Sequence, residues 1–139
     1  MTTTNHPDLF NHLADYLDAL TASHIRHTQQ SAEAFHENNP NISVARYETM
    51  FMPHVSRYAI DDHPNSKYIR VTETDGYQRS VHCFIDRATG SVYKAAGWKA
   101  PARGKNGKPT ERYNLLDPES RAELFARCEF TGGYLYARR

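Results

Sequence analysis

Apolar residues in the first third of the chain recur at helical spacing. Leu9, Leu13, Tyr16, Leu17 and Leu20 form one stripe, widened by Phe10, while Asn11, Asp15 and Asp18 lie off it. The spacing predicts an amphipathic helix starting at Pro7-Asp8, where a proline and an acid suit a helix N-terminus. Such a face is first of all a core face; left uncovered, it would serve dimerisation. Beyond Leu20 the pattern weakens, yet no breaker occurs before Asn38-Asn39-Pro40. One long helix and two helices with a bend near Ser23 both satisfy it. Met1–Asn5 reads as a polar, mobile lead.

After Pro40 the texture becomes strand-like. SVARYETMFM reads as extended from its β-branched and aromatic content, RYAI as a second extended piece after Pro53, and DDHPNS as a turn. KYIRVTE and RSVHCFID flank Asp75-Gly76, a local hairpin signal, in a loop that reads as longer than two residues. RATG supplies another turn and SVYKAA another strand, so Lys67–Ala96 reads as a three-stranded antiparallel meander with one face on the helix and one partly wet. Gly97–Asn114 has no apolar period and holds Gly97, Pro101, Gly104, Gly107 and Pro109. Loops of this length in compact domains are usually functional or disordered. Asp117-Pro118-Glu119 then signals a helix to about Glu129, with Leu124, Phe125 and Cys128 inward. Gly132-Gly133 ends it, and Tyr134-Leu135-Tyr136 reads as a short terminal strand. The expected fold is α+β in a single domain over 1–139: a helical segment (1–40), an antiparallel sheet (43–96), a basic Gly/Pro-rich loop (97–116), and a C-terminal helix and tail (117–139).

A chain of 139 residues can bury one core without disulfides or metal. Cys83 and Cys128 lie far apart with no ligand spacing between them, and read as free, buried thiols suited to a reducing compartment. No apolar run approaches the ~20 residues of a membrane span, and the N-terminus lacks the features of a secretory leader, so a soluble, intracellular protein with no membrane partner is expected. The net charge of +1 conceals an asymmetry. Residues 1–63 carry three Arg against eight acids, a balance of −5, and residues 64–139 carry fourteen cations against eight acids, a balance of +6. That difference bears on partners and steering and makes a head-to-tail self-contact conceivable, while the oligomeric state stays open.

The positive charge is concentrated. Between Arg87 and Tyr113 stand seven Lys or Arg residues and one acid, Glu111, together with the only tryptophan. The candidate nucleic-acid-binding set is Lys94, Trp98, Lys99, Arg103, Lys105, Lys108, Arg112 and Tyr113. Cations at this density track phosphates, and flat rings stack on the unpaired bases of a single strand. Two other readings compete: a solvated loop whose Trp98 anchors the core, and a contact surface for an acidic protein.

Catalytic and metal signals are weaker. His24 and His27 are neighbours on one helix face, Asp61-Asp62-His63 is a loose carboxylate cluster, and adjacent His82 and Cys83 should point to opposite faces of a strand. None forms a full ligand set, and neither a metal nor a cofactor is expected. His82, Phe84 and Asp86 should share one face with Lys94 opposite. A His–Asp pair beside a lysine has acid–base potential, but such a face is more commonly a plain polar cover. Cys83 alternates with Val81 and Ile85, which points to burial rather than nucleophilic use. GKNGKPT lacks the spacing of a phosphate-binding loop. A non-enzymatic role is favoured.

The run SVHCFIDRATGSVYKAAGWKAPARG, followed by RYNLLD and by GGYLYAR, resembles a widespread group of small proteins encoded by tailed bacteriophages. Those proteins share a segment close to VHCFID-x-x-TG-x-VYKAAGWKAPA, then Lys or Arg, Gly and RYNL. The likeness spans Lys67–Leu116 and the C-terminal GGYLYAR; the first 63 residues lie outside it. This chain departs from the pattern by carrying KNGKPTE before Arg112-Tyr113, which enlarges the basic loop. The resemblance implies a phage-encoded accessory protein working in the host cytoplasm. Taken with the loop, it gives the expected function: non-enzymatic binding of nucleic acid. The runner-up is a protein-binding module, either an inhibitor or modulator of a host or defence protein or a virion-associated component.

Overall fold

The computed structural model describes residues 6–51 and 56–136; the polar lead Met1–Asn5, Pro53 and the terminal Arg138 and Arg139 lie outside them. Helix α1 (Leu9–Asn38) is one continuous helix of 30 residues, not two. Through Thr21–Thr28 it runs on although two hydroxyls donate back to the preceding turn, Thr21 Oγ1 to the Leu17 carbonyl (3.0 Å) and Thr28 Oγ1 to that of His24 (3.1 Å). It stops where Asn38 and Asn39 turn their side-chain amides onto the carbonyls of Ala34 and Phe35, immediately before Pro40. Leu9, Leu13, Tyr16 and Leu20 are buried along one stripe, as the spacing predicts.

The segment read as the first strand is helical. Helix α2 spans Val44–Phe51, and the sheet begins only at Arg57, not at residue 43. The Ser43 hydroxyl accepts from the Arg46 backbone N–H (3.1 Å), an N-cap that outweighs the β-branched and aromatic composition of the segment.

Five strands follow: β1 (Arg57–Asp61), β2 (Tyr68–Asp75), β3 (Gln78–Asp86), β4 (Ser91–Lys94) and β5 (Tyr113–Asn114). Their spatial order is their chain order and every pair is antiparallel, so the predicted meander gains a strand on each side. The β2–β3 loop is shorter than expected. Asp75 pairs with Gln78, leaving two residues, Gly76-Tyr77, in the turn. Gly76 has φ +62 while Tyr77 keeps a negative φ, the pattern of a type II′ hairpin turn, which calls for glycine at the first central position. After β3, the Asp86 carboxylate accepts from the N–H groups of Ala88 and Thr89 (2.9 and 3.2 Å) and closes the RATG turn.

The strands are out of step at one place. Val71 pairs with Cys83 and Thr72 with Val81, so His82 is an extra residue in β3. The bulge puts His82 and Cys83 on the same side of the sheet, under α1, contrary to simple alternation: His82 meets Tyr134, and Cys83 meets Tyr16 of α1. It also separates His82 from Phe84 and Asp86, which the two-residue period had placed together.

Helix α3 (Pro118–Arg127) begins at the predicted Asp-Pro-Glu signal, with Asp117 at the cap position, although its carboxylate makes no capping bond. The core lies between α1, α3 and one sheet face, and unites Leu9, Leu13, Tyr16 and Leu20 with Ile69, Val71, Ile85, Val92, Leu124 and Leu135. The tail does not return as a strand. Gly132 adopts a left-handed conformation (φ +81) and Gly133–Leu135 form a 3₁₀ turn that drops Leu135 into the core. The outer edge of β4 is already occupied by β5.

Candidate functional site

The basic stretch is a folded loop rather than an unstructured one. Ala95 bridges to Pro101, with the Ala96 N–H donating to the Ala100 carbonyl (3.1 Å) and that of Ala102 to Lys94 (2.8 Å). A second small hairpin follows, with Arg103 bridged to Pro109 and the Gly104 N–H on the Lys108 carbonyl (2.8 Å). Gly107 (φ +78) permits its turn, and the Asn106 side chain accepts from the Lys108 N–H (2.9 Å). Glu111, the sole acid of the stretch, accepts from the Ser91 hydroxyl and from the Asn114 amide, so its charge is directed at β4–β5.

Trp98 is held on the sheet face opposite α1. Arg70 Nε donates to its carbonyl (2.7 Å), and the guanidiniums of Arg70 and Arg79 stand 5.2 and 5.0 Å from its ring centroid. Asp61 pairs with both arginines (3.5 and 3.8 Å) and fixes that arrangement. Below it, Phe84 is 1% exposed, with Tyr68 edge-on at 5.9 Å and Arg70 over its ring at the same distance. Trp98 itself remains 41% exposed.

Of the predicted set, Lys99, Arg103, Lys105 and Lys108 are exposed with Trp98 on this loop, and none of the four pairs with a carboxylate among the described residues. The other three sit elsewhere. Tyr113 is 6% exposed in β5, against Tyr134, so its ring has no face to offer a base. Arg112 is half-buried with its Nε enclosed, and its N–H extends the β4–β5 pairing. Lys94 pairs opposite Cys83 on the α1 side, its Nζ 4.5 Å over the Tyr136 ring. Arg87 serves structure, clamping the β1–β2 turn through Asp62, His63 and Ser66. Sequence spacing missed Lys67, Tyr68, Arg70 and Arg79. They come to the loop only because β2 and β3 lie beneath it.

On the α1 side, His82 is nearly fully enclosed, with Nδ1 3.6 Å from the Glu73 carboxylate and Nε2 2.7 Å from the Tyr134 hydroxyl. Tyr134 bonds Tyr16, and Tyr16 lies 3.4 Å from Cys83 Sγ. Burial would raise the Glu73 carboxyl, but hydrogen bonds from His82 and Ser56 bring it below its ordinary range. Burial pushes the Tyr16 and Tyr134 hydroxyls far up and the Cys83 thiol to about 12, so Cys83 is no nucleophile at neutral pH. Asp86 takes no part in this chain. The predicted His–Asp pairing gives way to His–Glu, because the bulge turns His82 away from Asp86. Among the described residues, no group of three or more His, Cys, Asp or Glu is placed to hold a metal ion, and no helix is long and apolar enough to cross a membrane.

The chain belongs to a family of unknown function (DUF7717), whose model matches residues 2–137. Neither a curated protein nor a solved structure matches it.

Proposed function

Proceeding from that family, whose role is open, we propose that the protein is a non-enzymatic accessory protein of a phage that binds single-stranded nucleic acid in the host cytoplasm. The observation that carries the proposal is the coincidence on one loop of four exposed cations, Lys99, Arg103, Lys105 and Lys108, unpaired among the described residues, with a half-exposed tryptophan ring. Phosphate contacts supply affinity and the indole supplies a stacking platform, a combination that tolerates any base sequence. The phage setting rests on the resemblance of the KAAGWKAPA region.

Fluorescent single-stranded and duplex oligonucleotides titrated at about 50 and about 200 mM salt test it. With ~4 phosphate contacts on a single strand, the log–log slope is about −2.8, and the fourfold rise in salt weakens binding about fifty-fold. In a Lys99→Ala, Arg103→Ala, Lys105→Ala variant the slope should shrink to about −0.7. Absence of binding at the lower salt concentration overturns the proposal. A salt-insensitive complex with a protein, lost on Trp98→Ala alone, would favour the protein-binding reading instead.

A further inference from the structure

Resting on the reading of the loop as a nucleic-acid surface, we propose that the groove between the start of β2 and the second small hairpin is a subsite for one nucleotide. Its phosphate lies among Lys67, Arg103 and Lys108, and its base lies on Tyr68 and Pro109, with the buried Pro101 completing the wall. These six residues line a half-open groove of about 250 Å³. That is slightly under the ~300–1,000 Å³ typical of small-molecule sites, so it admits one phosphorylated ring system and excludes a duplex.

The walls differ in chemistry. On one side are three cations, none paired with a carboxylate among the described residues. Arg103 is already oriented, because Nη1 donates to the Gly107 carbonyl (3.2 Å) while the rest of its planar fork keeps donors for a phosphate. The backbone of Lys108 is fixed by Asn106. Lys67 stands immediately before β2, with Nζ 5.5 Å from the Tyr68 centroid. On the other side are flat or rigid groups. Pro101 and Pro109 occupy the bridge positions that close the two hairpins, so both are held by paired backbone. Tyr68 is braced edge-on by Phe84 and Tyr93 (5.9 and 6.0 Å). A site of this kind is preorganised on its apolar wall and adaptable on its cationic wall, which suits a ligand of fixed charge and variable ring.

Two sources can present this chemistry: a unit of a single strand, or a free mononucleotide. Displacement of a fluorescent single strand by adenosine 5′-monophosphate, by inorganic phosphate and by adenosine distinguishes them, using wild type and a Lys67→Ala, Lys108→Ala variant. Retained far-ultraviolet circular dichroism would show the variant folded. The monophosphate should compete at least tenfold better than phosphate or adenosine, and the variant should lose that competition and lower the oligonucleotide salt slope by about 0.7, the share of one phosphate. Should the strand bind wild type with its salt dependence while the monophosphate fails to compete, the subsite is overturned while the loop's nucleic-acid role stands. Direct monophosphate binding lost in the variant, without strand binding, would keep the subsite and overturn the role. No binding of either overturns both.

Discussion

The two faces of the sheet each bury a large aromatic side chain, Tyr16 on one side and Phe84 on the other, to within 1% of full cover. The covers are made of different material. Under α1 the neighbours are mostly aliphatic, with Phe125 stacked on Tyr16 (6.3 Å), and a His82–Tyr134–Tyr16–Cys83 chain joins buried polar atoms, while the Tyr58 hydroxyl stays outside it. Over Phe84 the cover is Tyr68, Tyr93 and the guanidinium of Arg70, with Trp98 above, so burial there is achieved by groups that keep a charged or aromatic surface toward solvent. One face therefore supplies stability, and the other leaves its own packing material toward solvent, where the proposed binding surface lies.

Three measurements bear on that contrast. The largest effect is expected from Leu13→Ala, which empties a fully buried position under α1. It should cost about 2–5 kcal/mol in urea unfolding with oligonucleotide affinity of the folded protein unchanged. A loss below about 1 kcal/mol would mean that α1 does not close the core as described. Next comes Trp98→Ala. It should cost about 1–3 kcal/mol in strand binding with an unchanged salt slope, and about 1 kcal/mol or less in stability. The reverse split would make Trp98 an anchor and erase the difference between the faces.

The smallest effect concerns pH. Burial lowers the His24 pKa, and the Ser56 N–H donates to its Nδ1 (3.1 Å), a bond that only an unprotonated nitrogen accepts. Below the unfolded value of about 6.5, the unfolded chain takes up a proton that the folded chain resists, so stability falls as pH drops from about 7.5 to 5.5. His24→Gln should flatten that part of a melting-temperature profile. The contribution of Glu73, whose carboxyl is also held low, disappears only below about 4.5, outside the window.

What could be read in advance followed from local chemistry. The Leu9–Leu20 stripe, the Asp-Gly and Ala-Thr-Gly turns and the Asp-Pro-Glu helix start each depend on residues within a few positions of one another. Helix α2 was also legible, since Ser43 caps it and Val44, Tyr47 and Phe51 are helically spaced, but its composition pointed the other way. The bulge at His82 was not legible, because a slip in register is a relation between two strands and alternation along one strand assumes its absence. The loop's cations were counted correctly, but their allegiance was not. Arg87 and Lys94 belong to other contacts, whereas Lys67 and Tyr68 join the groove from the start of β2, more than thirty residues earlier.

The neighbour-by-neighbour strand order has a consequence for synthesis. Each strand can zip onto the one just made, so the sheet itself need not wait for distant chain. Helix α1 is in the opposite position: its apolar stripe ends at Leu20, and the core it joins includes Val92, 72 residues downstream. At ~5–20 residues per second, that stripe is made about 4–14 s before the chain reaches Val92. During that interval the nascent chain presents its stickiest surface first, and a chaperone that shields Leu9–Leu20 would raise the yield of folded protein more than any help given to the strands.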